Sequence, residues 1–337
     1  MKYSKYITRV TFFFLIFCNI LTLSCSSDKS NNNLSILALL LQDNSCESTP
    51  ENCNLGEFTS ASAAEANVWV GITFAKNQFV AVSQDGTNRV MTSPNGINWT
   101  ARAASQANQW LSIVYAKDIY VALANSGTDR VMTSPDGINW TTRSIPLLNY
   151  NWVTYGKGLF VAVADGSTFQ TSPDGINWTP RTAPANQSWR SVVFANNKFV
   201  TVSSSGGVGT SSDGINWTLR TAAESNDWRS VTFGHNLFVA VALTGTNRVM
   251  TSPDGINWTA RSASEQNEWY EVYYANGLFM AAAATGTNRI MTSTDGINWT
   301  ARQQTENNFW KGIAYGNDKF VVVAVDGTNR VQYATWK

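Results

Sequence analysis

TSPDGINWTARSA, from Thr251 to Ala263, is a phrase that recurs six times along the chain in close copies. Its anchoring tryptophan stands at Trp99, Trp140, Trp178, Trp217, Trp258 and Trp299, with spacings of 41, 38, 39, 41 and 41 residues. A period near 40 with several short strands in each repeat is that of a radial array of small sheets, a β-propeller.

Trp228 to Arg261 serves as the type repeat. Trp228–Phe233 reads as a first strand and Gly234–Leu237 as a turn. Phe238–Ala242 reads as a second strand, and its unbroken apolar character suits a strand covered on both faces. Thr244–Asn247 turns the chain, Arg248–Thr251 makes a third strand, and Ser252-Pro-Asp-Gly255 turns it again. Pro presets one central turn position, Asp bonds back to the backbone, and Gly accepts the αL geometry. Ile256–Arg261 completes a four-stranded blade.

The second-strand aromatic recurs at Phe79, Tyr120, Phe160, Phe199, Phe238, Phe279 and Phe320, so seven blades are expected, with only six copies of the Asn-Trp-Thr strand. Phe58 precedes Trp69 by the same 11 residues that separate Trp258 from Trp269. Phe58 is therefore expected to stand in for the absent tryptophan, and residues 55–60 to form the outermost strand of the last blade. A ring closed in this way has no free sheet edges between blades. The third repeat is irregular: Tyr150 falls in the tryptophan register, Trp152 lies two positions on, and repeats three and four lose the Asn-Arg of the second turn.

The formal charge is +1, and without Lys2, Lys5 and Arg9 the balance is 21 basic against 23 acidic residues. That balance gives no electrostatic reason to expect nucleic acid or an anionic membrane surface as a partner. Residues 1–24 have a basic start and the apolar run Val10 to Leu23, the pattern of an export signal. Leu21 to Cys25 resembles a bacterial lipobox, with Thr22 where leucine is usual. It implies a lipid on Cys25, residues 25–54 as tether, and a place in the bacterial cell envelope, at the outer membrane or cell surface. The propeller is expected over 55–337 as a monomer. Cys46 and Cys53 are a disulfide candidate in an exported compartment. Neither metal nor cofactor is expected, since the sole histidine, His235, lies in a turn away from the inter-blade loops.

Ser252-Pro-Asp-Gly-Ile-Asn-Trp258 resembles the Asp-box, or BNR repeat, of sialidase-like propellers. Asp254 and Gly255 are adjacent, where the commoner form separates them, and the first copy has Asn95 at the Asp position. The resemblance spans residues 55–337 and implies architecture, with the box a folding element on the outer hairpin, remote from catalysis. Enzymes of that family use an arginine triad, a tyrosine nucleophile with a glutamate partner, and an aspartate acid over the central channel. Breaks in the present repeat occur at Trp152, Arg190, Arg229, Tyr270, Glu271 and Lys311. Of these, Glu271, Tyr270, Arg190 and Arg229 are the catalytic candidates that the resemblance implies. The family's Arg-Ile-Pro signature is absent.

The loops between blades and the second turns emerge on one face. That face carries Arg89, Arg130, Arg248, Arg289 and Arg330, which with Trp152 are the candidate ligand contacts. The alternative is a network of arginines tying blades together. The expectation is a non-catalytic, membrane-anchored binding module for a glycan or an envelope protein. A sialidase-like glycoside hydrolase is one alternative, and an envelope scaffold without a small ligand is another.

Overall fold

A computed structural model describes residues 55–336. The expected export signal, Cys25, the tether, and the Cys46–Cys53 pair lie outside the described residues. Twenty-six strands are described, from β1 (Thr59–Ala61) to β26 (Val331–Thr335). In the type repeat they are β16 (Trp228–Gly234), β17 (Leu237–Ala242), β18 (Val249–Ser252) and β19 (Thr259–Arg261), an antiparallel sheet in that order.

Each element follows from its residues. Phe238, Val239, Ala240, Val241 and Ala242 are all fully buried, as an apolar strand between two neighbouring sheets should be. The first turn places His235 and Asn236 at φ 47° and 56°, the paired left-handed conformation that matches the twist of a two-residue hairpin. The fourth strand is shorter than expected because the turn before it consumes backbone donors. Ser252 Oγ accepts the Gly255 N–H at 2.8 Å, and Asp254 Oδ1 accepts those of Ile256 and Asn257 at 2.8 and 2.9 Å. Those contacts hold the Asp254 carboxyl well below the usual carboxylate range, the Asn257 N–H contributing most. Gly255 has φ +71°, and a Cβ there would lie 2.7 Å from Val200 of the preceding repeat. The turn therefore presses directly on its neighbour.

The core lies between sheets. Val200 and Val202 of one repeat pack with Trp228, Phe238, Ala240 and Met250 of the next. First strands follow one another about an axis: β2 (Trp69–Ala75), β6 (Trp110–Ala116), β10 (Tyr150–Gly156), β12 (Thr179–Ala195), β16, β20 (Trp269–Ala275), β24 (Trp310–Gly316), and β2 again. Lateral ties close the circle: Asn317 Nδ2 donates to Pro94 O at 2.7 Å, and Arg330 Nη1 to Asn67 O at 2.8 Å.

The expectation of seven separate four-stranded blades is corrected. Hydrogen bonding divides the described residues into six sheets, five of four strands and one of six, β10 to β15 (Thr218–Thr221). The cause lies in the irregular repeats. β11 (Leu159–Ser172) and β12 run for 14 and 17 residues through segments that elsewhere turn. Without the Asn-Arg turn, Asp165 and Gly166 pair with Ser188 and Gln187, and this ladder fuses two repeats into one sheet.

β1 pairs antiparallel with β26, with Thr59 opposite Tyr333 and Ala61 opposite Val331, and Leu55 forms an isolated bridge to Trp336. The strand thus spans Thr59–Ala61, not 55–60. Phe58 does pack on the last core cluster, but the ring beside Phe320 is Trp336, at 6.3 Å. That is the separation of Phe279 from Trp299. Trp336 therefore takes the tryptophan position assigned to Phe58, because β26 runs straight on without the Ser-Pro-Asp-Gly turn.

Candidate functional site

Every first strand carries a buried aromatic, at its start in all but β12, that is tied back to a carbonyl four residues earlier. Trp228 Nε1 donates to Glu224 O at 3.0 Å, and Trp69, Trp110, Trp189, Trp269 and Trp310 repeat the bond four residues back. Tyr150 substitutes with its hydroxyl, donating to Pro146 O at 2.6 Å. These rings are fully buried and plug the inter-sheet space.

Directly after the aromatic, each first strand carries a β-bulge, so one residue drops out of the ladder. The skipped residues are Val70, Leu111, Asn151, Arg190, Arg229, Tyr270 and Lys311. Six of them, all but Val70, line an axial cavity of about 190 Å³, together with Gln84, Asn125, Trp152 and Glu271. Arg190, Arg229, Tyr270, Glu271 and Trp152, which lie apart in sequence, are thus brought together. Gln84, Leu111, Asn125 and Asn151 were missed from sequence. For Leu111 and Asn151 the available signal was the position after each first-strand aromatic, which varies while its surroundings repeat; Gln84 and Asn125, at second-strand ends, carried none.

Charges in the cavity are held in pairs. Arg190 Nη1 lies 3.5 Å from Asp165 Oδ1 and donates to Asn151 Oδ1 at 3.4 Å. Arg229 Nη2 meets Asp227 Oδ2 at 2.6 Å, while its Nε is buried with no partner among the described residues. Tyr270 is sandwiched electrostatically: the Arg229 guanidinium is 5.4 Å and Lys311 Nζ 5.7 Å from its ring centre. Phe309 packs on it at 4.4 Å. Glu271 is buried and accepts the Ile313 N–H at 3.3 Å.

Burial pushes Glu271 up to about 8, against the Ile313 N–H and the Lys311 charge. Burial pushes half-buried Lys311 down to about 8; Glu271 opposes this, and Arg229 and Arg190 add to it. Between the ordinary value of 4.5 and about 8, the folded protein keeps a proton on Glu271 that the unfolded chain has released. Stability from this group therefore falls as pH rises through that window. Lys311 acts oppositely between about 8 and 10.5, where the unfolded chain holds the extra proton. Glu271→Gln should remove the first slope, matching the parent at pH 4 and exceeding it at pH 8 by on the order of a few kcal/mol. Urea unfolding at pH 4, 6 and 8 checks this, and parallel curves would refute it.

The rim arginines have a recurring set of partners. Arg248 Nε donates to Gly245 O at 3.1 Å and Nη1 to Gln266 O at 3.0 Å, ahead of the next tryptophan. Arg89, Arg130, Arg289 and Arg330 make the same span to Asn108, Leu148, Asn307 and Asn67 carbonyls. Beside them Glu224 Oε1 accepts Asn247 Nδ2 at 2.6 Å. In the second repeat acid and amide exchange places, and Gln106 Nε2 donates to Asp129 Oδ2 at 3.1 Å. Arg248→Ala should cost about 1 kcal/mol through these staples, and a thermal shift measures it.

Among the described residues no group of three His, Cys, Asp or Glu could hold a metal ion, and no helix is long and apolar enough to cross a membrane. No protein family and no curated protein matches the chain. Solved structures do resemble it. A streptogramin B lyase aligns with a TM-score of 0.74 at 11% identity, covering 84% of this chain and 98% of that one. YCF48 bound to D1 peptide aligns at 0.63 and 15% identity, over 84% and 96%. The WD40 β-propeller domain of Doa1 aligns at 0.66 and 14% identity, over 85% and 98%. Identities this low establish the β-propeller fold alone.

Proposed function

We propose that the protein is a non-catalytic binding module, held at the bacterial cell envelope by a lipid on Cys25. It seats a glycan or a protein in the axial cavity, on the face where the inter-repeat loops emerge. One observation carries this reading: the repeats diverge in chemistry where their bulges meet at the axis, while the aromatics that open the bulges recur as Trp or Tyr. The rim arginines fit it less well as primary contacts, since they already hold neighbouring backbone carbonyls. The fold neighbours differ in what their names describe, and YCF48 with its peptide is compatible with a protein ligand.

The Ser-Asp-Gly turns support kinship with Asp-box propellers. The second reading, a sialidase-like hydrolase, draws on Tyr270, Glu271, Arg190 and Arg229 sharing one cavity. Against turnover, the Glu271 carboxyl is buried and engaged by Ile313. Among the described residues it makes no hydrogen bond to Tyr270.

The test combines a glycan array with capture from envelope extracts, comparing the parent protein with Arg229→Ala. Capture lost in a variant that still folds supports the reading. Hydrolysis of sialosides by the parent, abolished by Glu271→Gln, overturns it in favour of the enzyme. Cys25→Ser should move the protein from the membrane to the soluble fraction, and unchanged partitioning refutes the anchor.

A further inference from the structure

The bulge divides the axial residues into two arcs of opposite character. Neighbouring repeats share whole strands, such as Val-Met-Thr-Ser at 90–93, 131–134 and 249–252. The bulged residue is instead Val, Leu, Asn, Arg, Arg, Tyr and Lys in turn. Having left the ladder, it is free of the register constraint that fixes its neighbours. Leu111 and Trp152 give one side of the cavity an apolar surface, while Arg190, Arg229 and Lys311 give the other a cationic one.

The cations are only partly matched. Asp165 and Asp227 each engage one Nη of their arginine. Arg229 Nε has no partner among the described residues, although it is buried, and Lys311 Nζ lies 5.7 Å from the Tyr270 ring centre. A buried donor without an acceptor is costly, and an oxyanion at this point would satisfy it with charge-assisted bonds. The cavity of about 190 Å³ lies below the roughly 300–1,000 Å³ of pockets for drug-sized ligands. It admits the end of a molecule rather than the flank of an oligosaccharide.

Resting on the binding-module reading, we infer that the cavity takes an amphipathic monocarboxylate. Its carboxylate faces Arg229 and Lys311, and its apolar group faces Leu111 and Trp152. The free carboxyl end of a polypeptide ending in an aliphatic residue supplies this chemistry, and so does a small aliphatic acid. An acidic sugar does not, because it presents hydroxyls to the apolar arc.

The experiment is calorimetric titration of the intact protein with N-acetyl-leucine, its carboxamide, and a leucine-terminated hexapeptide in acid and amide forms. The acids should bind, and each amide should bind at least about tenfold more weakly. A hexapeptide acid that binds more tightly than N-acetyl-leucine identifies a chain end; the reverse order identifies a small free acid. Arg229→Ala should weaken the acids and leave the amides unchanged. Lys311→Met serves the same purpose if the first variant unfolds. Equal affinity for acid and amide overturns the inference, as does binding of glucuronate in preference to N-acetyl-leucine. If extracts still yield a partner while no acid binds, only this inference falls; if neither binds, the binding-module reading falls with it.

Discussion

Trp228→Ala should lower the melting temperature by about 10 °C. Trp228 is fully buried between two sheets, packed with Val200, Val202, Phe238 and Met250. Removing a buried tryptophan costs about 3–5 kcal/mol in lost transfer energy and residual cavity, and each kcal/mol moves the midpoint of a domain this large by about 2–4 °C. Its N–H bond to Glu224 O also disappears, freeing the entry loop of the repeat. Trp228→Phe separates the two contributions, since it keeps most of the volume and should lose about 1–2 kcal/mol. Differential scanning calorimetry reads both, and a shift below about 2 °C for the alanine variant would falsify the plug assignment.

Deleting Leu55 to Ala61 should have a comparable or larger effect. The segment supplies the outer strand of the sheet formed by β24, β25 (Lys319–Ala324) and β26. It also contributes Leu55, Phe58 and Ala61 to the packing of the first and last repeats. Its loss exposes the edge of β26, an unpaired row of N–H and C=O groups open to intermolecular pairing. The expected outcome is a lower melting temperature together with light-scattering aggregates at micromolar concentration. A deletion variant that melts with the parent and stays monomeric would show that the last sheet holds without it.

Much of the fold was legible because a repeat states its own periodicity. Phe238 to Ala242 and its six counterparts are so predominantly apolar, broken only by Ser83, Thr201 and Ser203, that a doubly covered strand accommodates them best. The fusion of β11 with β12 was not legible. The missing Asn-Arg was visible, but the pairing of Asp165 with Ser188 that follows depends on register across 23 residues. Phe58 was misassigned for a related reason: sequence spacing gives position along a strand, whereas Trp336 reaches the same place by another path.

The site was legible in part. Arg190, Arg229, Tyr270, Glu271 and Trp152 broke the repeat with groups that carry charge or large rings, so they stood out. Leu111 and Asn151 are ordinary residues whose importance comes from a backbone bulge, marked in the sequence only by the variability of the position after each first-strand aromatic. The rim arginines stood out by recurrence instead. Recurrence is also what a staple shows, since the same carbonyl awaits it in each repeat.

The bulge behind the entry aromatic has a consequence for how such a ring changes over generations. A side chain that contributes nothing to strand pairing can be swapped at little expense to the frame, so these seven letters form a compact address field on a fixed chassis. Rewriting Leu111 or Lys311 would redirect the socket towards another guest while the surrounding wheel stays intact.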